Sequence, residues 1–153
     1  MPLGTVLVVS CMLAAAQTSP PTDTASVATQ IVRLVNRDRL AHRLAPLAVE
    51  ERLTRAAQRK AEDMQRRGYF DHVDPDGRRA RHLLERVGYG FRNVAELLAR
   101  GPGDFGRMQR GWMNSPPHRR SMLSKSFTEM GVGAVRSGPD AWIVVVLFAR
   151  PAS

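Results

Sequence analysis

Residues 142–148 read Trp-Ile-Val-Val-Val-Leu-Phe, an unbroken apolar run rich in β-branched side chains. A strand with one wet face alternates apolar and polar residues. An uninterrupted apolar run instead predicts a strand buried on both faces. The turn sequence Ser137-Gly138-Pro139-Asp140 precedes it. Before that turn, Met130, Val132 and Ala134 alternate with Gly131, Gly133 and Val135, the period of a hairpin partner. The chain therefore closes on a strand pair that the earlier residues must cover.

Those earlier residues are helical in pattern. Val27, Ile31, Leu34, Val35 and Leu40 keep near-helical spacing and predict a first helix from Val27 to about Arg43, broken at Pro46-Leu47. A second helix is expected from about Glu50 to Arg67, with Leu53, Ala56, Ala57, Lys60, Ala61 and Met64 on one face and Gly68 ending it. Its opposite face carries Glu51/Arg55, Glu62/Arg66 and Asp63/Arg67 in the favourable acid-first i,i+4 order. Asp74-Pro75-Asp76-Gly77 is a turn. A short helix with Leu83, Leu84 and Val87 follows it before Gly88, and another covers residues 104–114. Trp112 and Trp142 read as core, and His42 and His82, in Arg-rich helical stretches, as solvated. Helices first and a strand pair last give an α+β class, with helices packed on a small, mainly antiparallel sheet.

At 153 residues the chain suits one domain that buries roughly two thirds of its unfolded surface. Its 43% hydrophobic and 24% charged content is ordinary for a globular protein and favours neither a disordered nor a fibrous chain. Lys plus Arg number 23 against 14 Asp plus Glu, a formal charge of +9, and only Lys60 and Lys125 are lysines. Such a chain adheres to anionic surfaces such as wall polymers, acidic lipid or nucleic acid.

The amino terminus reads as an export signal. Residues 3–16 are apolar and uncharged and end in Ala14-Ala15-Ala16, a small-residue cleavage site before Gln17. The run is too short to span a bilayer, which takes about 20 residues. Residues 17–28 are expected to form a Pro/Thr/Ser-rich linker, and residues 29–150 the domain. Cys11, the only cysteine, falls within the signal, so the mature chain has neither a disulfide nor thiol chemistry. Val8-Val9-Ser10-Cys11 loosely resembles a lipoprotein box, so anchoring through Cys11 is the alternative address.

Two histidines stand in distinctive settings: His72 after Gly-Tyr-Phe-Asp and His118 after Asn-Ser-Pro-Pro, with Glu96 between them in sequence. They are too far apart to share a helix face, so only the fold can bring them together. His72 is expected at a strand end facing a cleft. Ser115 is a natural helix N-cap with Pro at the first helical position, which puts His118 in a first turn that favours neutral imidazole. Neutral imidazole is the ligating form, and two histidines and a glutamate suit an open zinc site. The plainer alternative makes both histidines hydrogen-bonded structural residues. A third makes Ser115, His118 and Glu96 a nucleophile, base and orienter, although no G-x-S-x-G elbow surrounds Ser115.

At these residues the chain resembles the CAP superfamily of cysteine-rich secretory, antigen 5 and pathogenesis-related-1 proteins, and most closely its short bacterial secreted branch. The resemblance rests on Asn36-x-x-Arg39 with Pro46-Leu47, Tyr69-Phe70-Asp71-His72 with Pro75-x-Gly77, and Asn93-Val94-Ala95-Glu96. It continues through Trp112-Met113-Asn114-Ser115-Pro116-Pro117-His118-Arg119, Met130-Gly131-Val132-Gly133 and the final strand. It implies a three-layer α-β-α sandwich and a cavity tetrad of two histidines and two glutamates, whose imidazoles hold a divalent metal in some members. Carried over, the tetrad gives His72, Glu96 and His118, with Ser115 near the place of the second glutamate, and with Ala95 and Leu97 where the family has Gly and Asn. The function implied is that of a secreted binding or effector protein rather than an enzyme. Its site would be His72, Glu96, Ser115 and His118, and zinc or a similar metal would sit on His72 and His118. The partner would be an extracellular ligand such as a lipid or cell-envelope component. The rival is a metal-dependent hydrolase with zinc on His72 and His118 and Glu96 as base. A nucleic-acid partner is not expected, since no recognised nucleic-acid module is present. The mature chain is expected to be monomeric and to lack a transmembrane segment.

Overall fold

The structure is a computed structural model that describes residues 23–152. The signal sequence, Cys11, the cleavage site before Gln17 and the first part of the linker lie outside the described residues. Among these residues, no helix is long and apolar enough to cross a membrane.

The apolar run lies in strand β4 (Ala141–Pro151), where residues 142–149 are all buried. Successive side chains on a strand point to opposite faces. Trp142, Val144, Val146 and Phe148 accordingly join one core cluster, and Ile143, Val145, Leu147 and Ala149 join the other. Two antiparallel strands flank it: β3 (Glu129–Arg136) on one side and β2 (Phe91–Pro102) on the other. A two-residue strand, β1 (Ala48–Val49), adds parallel to β3, so the order is β1-β3-β4-β2.

Helices cover both faces. On the first lie α1 (Thr24–Ala41), α4 (Phe105–Asn114) and α5 (Pro116–Met122), which contribute Val27, Ile31, Val35, Phe105, Trp112 and Met122. On the second lie α2 (Glu51–Arg67) and α3 (Ala80–Arg86), which contribute Leu53, Ala56, Ala57, Ala61, Met64 and Leu84. This is the expected three-layer α-β-α arrangement in the α+β class.

Helix α2 comes very close to the sheet. A Cβ added to Gly131 would lie 2.2 Å from the Thr54 backbone nitrogen, and one added to Gly133 would lie 2.2 Å from that of Gln58. Only glycine on β3 allows this contact, and it explains why the alternation of that strand places glycine on the α2 side.

The motif residues near the start are structural. The Asn36 side chain donates to the Leu47 carbonyl at 3.0 Å and accepts from the Leu47 N–H at 2.8 Å, pinning the loop into β1. Arg39 is buried, and its guanidinium donates to the carbonyls of Ala45, Met122 and Ser124. It takes the inward position expected for Leu40, which is 60% exposed.

Several expectations need correction. Helix α1 begins at Thr24, with Asp23 accepting from the Ser26 N–H, so residues 24–28 are helix rather than linker and Val27 is fully buried. Strands β1 and β2 were not anticipated. On α2, Glu51 and Arg55 pair as expected, and Arg67 reaches Asp63 at 3.5 Å, but Arg66 pairs with Asp63, while Glu62 accepts from Gln58.

Candidate functional site

Strand β2 is an edge strand, and its alternation is only partly apolar. Leu97 is buried toward α1 and α4, while Glu96 points to the α2 face, opposite Leu147 of β4. The Glu96 side chain is only 5% exposed. Its Oε1 accepts from Nδ1 of His72 at 2.7 Å, and its Oε2 is buried with no hydrogen-bond partner among the described residues. A buried carboxylate without full hydrogen bonding is costly, and such sites are retained where they are used.

His72 is not at a strand end. It sits in the loop after α2, beyond the left-handed Gly68 that stops the helix, and its side chain is 48% exposed. The hydrogen bond to Glu96 fixes the ring through Nδ1 and leaves Nε2 without a partner among the described residues.

A third group supports this pair. Lys60, on the inner face of α2, is 2% exposed; its ammonium donates a long 3.4 Å hydrogen bond to the His72 carbonyl and sits over the Tyr69 ring at 4.9 Å. Burial lowers its pKa below the usual lysine range, and the Glu96 carboxylate works against that shift. Burial raises Glu96 above the usual glutamate value, opposed by the His72 hydrogen bond and the Lys60 charge. The two charges thus favour each other's ionised form against desolvation.

Ser115 and His118 form a separate unit. Ser115 occupies the N-cap position of α5, but its hydroxyl makes no capping bond and shares a 2.8 Å hydrogen bond with Nδ1 of His118 instead. The preceding helix is tied to β2 by Trp112, whose Nε1 donates to the Leu98 carbonyl at 3.0 Å. Burial lowers the His118 pKa, and the charge of His72 lowers it further, so the two histidines are within electrostatic reach. His42 is exposed and hydrogen-bonded to Asp38 and Arg119, and the half-buried His82 accepts from the Arg79 N–H.

The structure therefore joins the expected site residues in pairs. A cavity of about 240 Å³ opens beside the first pair, walled by His72, Glu96, Arg79, Arg81 and the small apolar residues Ala80, Val94 and Ala95. Ser115 and His118 do not line it. Glu96 orients His72 rather than His118, so a Ser115–His118–Glu96 relay is not assembled. Among the described residues, no set of three His, Cys, Asp or Glu side chains draws together closely enough to hold a metal ion. Glu96 acts on His72 as an orienter through Oε1, which leaves the imidazoles of His72 and His118 as the candidate metal ligands.

Residues 32–148 match the profile of the cysteine-rich secretory protein family, CAP. The chain belongs to this family. Its CAP domain is of the bacterial type. The Bacillus subtilis protein YkwD is 33% identical over 121 residues, which are 79% of this chain and 47% of YkwD. The B. subtilis membrane protein YlbC is 33% identical over 107 residues, 70% of this chain and 31% of YlbC. The chain thus spans less than half the length of these relatives. An extracellular SCP-domain protein of Bacillus anthracis superposes with a TM-score of 0.75 at 28% identity, over 87% of this chain and 45% of that one. An outer surface protein of Borrelia burgdorferi gives 0.79 at 21% identity over 86% and 97%, a likeness of fold alone.

Within this CAP domain, sequence reasoning overlooked Lys60, Arg79 and Arg81 as site residues. Lys60 had a signal, as a lysine on an otherwise apolar helix face. The two arginines had none, being lost among the many others.

Proposed function

We propose that this CAP domain acts outside the cytoplasm as a binding or effector protein whose ligand enters the cavity beside His72 and Glu96. The observation that carries this reading is the burial of the Glu96 carboxylate, one oxygen on His72 and the other unpartnered, at the wall of a cavity on an edge strand. A domain that needed only stability would have an apolar residue there. Perturbed ionisable groups beside a concavity with apolar walls are the usual mark of a ligand site.

The extracellular setting is supported by the export signal read in the sequence and by the extracellular B. anthracis protein of the same fold. A wall that combines Arg79 and Arg81 with apolar residues suits a lipid or cell-envelope component that carries an anionic group such as phosphate. His118 and Ser115 would meet the parts of such a ligand that extend beyond the cavity. The hydrolase reading has no observation in its favour.

Mass spectrometry of lipids and metals retained by protein purified without chelator tests this. Wild type should carry a bound small molecule that the His72→Ala and Glu96→Gln variants, folded by circular dichroism, release. Identical retained species in all three would refute the cavity as the binding site.

A further inference from the structure

A second cavity, of about 180 Å³, lies between α2 and α3, and Arg79 is a wall of both cavities. Arg59 and Arg86 also face the second cavity, while Arg81 faces only the first. All four arginines are exposed, and none has an acidic partner among the described residues. Glu62, Asp63 and Asp74 line the second cavity beside these arginines, and each already accepts hydrogen bonds. Asp63 receives Arg66, Arg67 and the Tyr69 hydroxyl; Asp74 accepts the N–H groups of Asp76 and Arg78; Glu62 accepts from Gln58. Arg67 and Arg78 are held by Asp76. What remains is a track of uncommitted guanidinium groups running from the His72 cavity through Arg79 to the α2–α3 groove.

We propose that the two cavities form one site for a linear chain of phosphate groups, with Arg79 at the junction. The proposal rests on the reading of the His72 cavity as a binding site and names its ligand class. Arg59, Arg79 and Arg86 approach the groove from three different backbone positions. A tetrahedral oxyanion accepts from several directions at once, whereas a planar carboxylate matches a single guanidinium fork. Among the described residues the walls hold no Trp or Phe, the Tyr69 ring is already occupied by Lys60, and the other rings are the imidazoles of His72 and His82, so extended stacking of bases has little support. This favours a base-free phosphate chain over a nucleic acid.

Calorimetric titration of the purified protein with linear inorganic polyphosphate tests the proposal, with orthophosphate, polyglutamate and single-stranded DNA as comparisons. Polyphosphate should bind tightest. Arg79→Gln should weaken it about tenfold, the scale of one charge-assisted contact, and Arg81→Gln and Arg86→Gln should each weaken it too. Arg110→Gln, on α4 in the opposite layer, should change it less than about twofold. Orthophosphate, filling one cavity, should respond to Arg81→Gln or to Arg86→Gln but not to both. Equal losses from all four variants would mean diffuse attraction and would overturn the proposal. So would equal binding of polyglutamate, or tighter binding of DNA. A polyphosphate response to Arg86→Gln but not Arg81→Gln would overturn the continuous site without touching the His72 cavity, which the retained-ligand comparison judges separately.

Discussion

Strands β4 and β2 run side by side with continuous antiparallel register over most of their length, yet they do opposite work. β4 is apolar on both faces and buried from Trp142 to Ala149. β2, at the sheet edge, buries one residue fully, Leu97, and opposite Leu147 of β4 it turns a carboxylate inward. The centre of the sheet holds the fold together, and the edge carries the groups that can meet a ligand. An edge strand can do this because its outer side is open to a loop, here the one bearing His72.

A charge in the central strand should have the largest effect. Val145→Asp would bury a carboxylate with no partner, and a loss of about 3 kcal/mol or more is expected in urea unfolding. Glu96 is tolerated because His72 and Lys60 face it, whereas Val145 is fully buried, paired with Leu98 and Gly133, and packed in an apolar cluster. Nearly as large an effect is expected from Gly133→Val, whose side chain would start inside the α2 backbone. Overpacking should cost about 3 kcal/mol, whereas Asn93→Asp on exposed β2 surface should cost less than about 0.5 kcal/mol. Near-equal midpoints for these two variants would remove the distinction between centre and edge.

A smaller effect is expected from pH. His118 lies below its ordinary value of 6.5, so the fold favours its neutral form. Its contribution is present above the unfolded pKa and is lost as pH falls through the lower folded value. Glu96 runs the other way: it is raised above 4.5, so its contribution is present at low pH and is lost as pH rises through the folded value. His118→Gln should therefore lose less stability than wild type between about pH 7 and pH 5, by under about 1 kcal/mol. Urea midpoints across that range would read it, and parallel curves would contradict it. The smallest effect is expected from zinc. With Glu96 committed to His72, calorimetry at about pH 7.5 should give at most weak binding, removed by the His72→Ala, His118→Ala double variant. Tight binding that survives in the double variant would mean that a metal sits elsewhere.

The same contrast explains what the sequence disclosed. An uninterrupted apolar run such as Trp142 to Phe148 has a single physical reading, so β4, its hairpin partner and the buried face of α2 were legible down to individual side chains, as was family membership from the motifs. β2 was not, because Arg92, Asn93 and Glu96 break any simple period in a strand whose pattern follows the site as much as the core. The partition of the site was hidden for a related reason. Sequence motifs made His72, Glu96 and His118 candidates, but the pairing of Glu96 with His72 and of Ser115 with His118 is visible only in the fold. Arg39 and Leu40 exchanged expected roles because a guanidinium can be buried when three carbonyls receive it.

If the edge of the sheet serves the site, Lys60 and Glu96 are kept for binding and not for stability. Replacing both by apolar residues of similar size removes the desolvation cost along with the attraction, which for buried charges is neutral or favourable. Urea unfolding of the Lys60→Met, Glu96→Leu double variant at neutral pH is the direct measurement. A midpoint equal to or above that of wild type is expected. A loss of about 2 kcal/mol or more would make the pair a structural element and would contradict its assignment to the site.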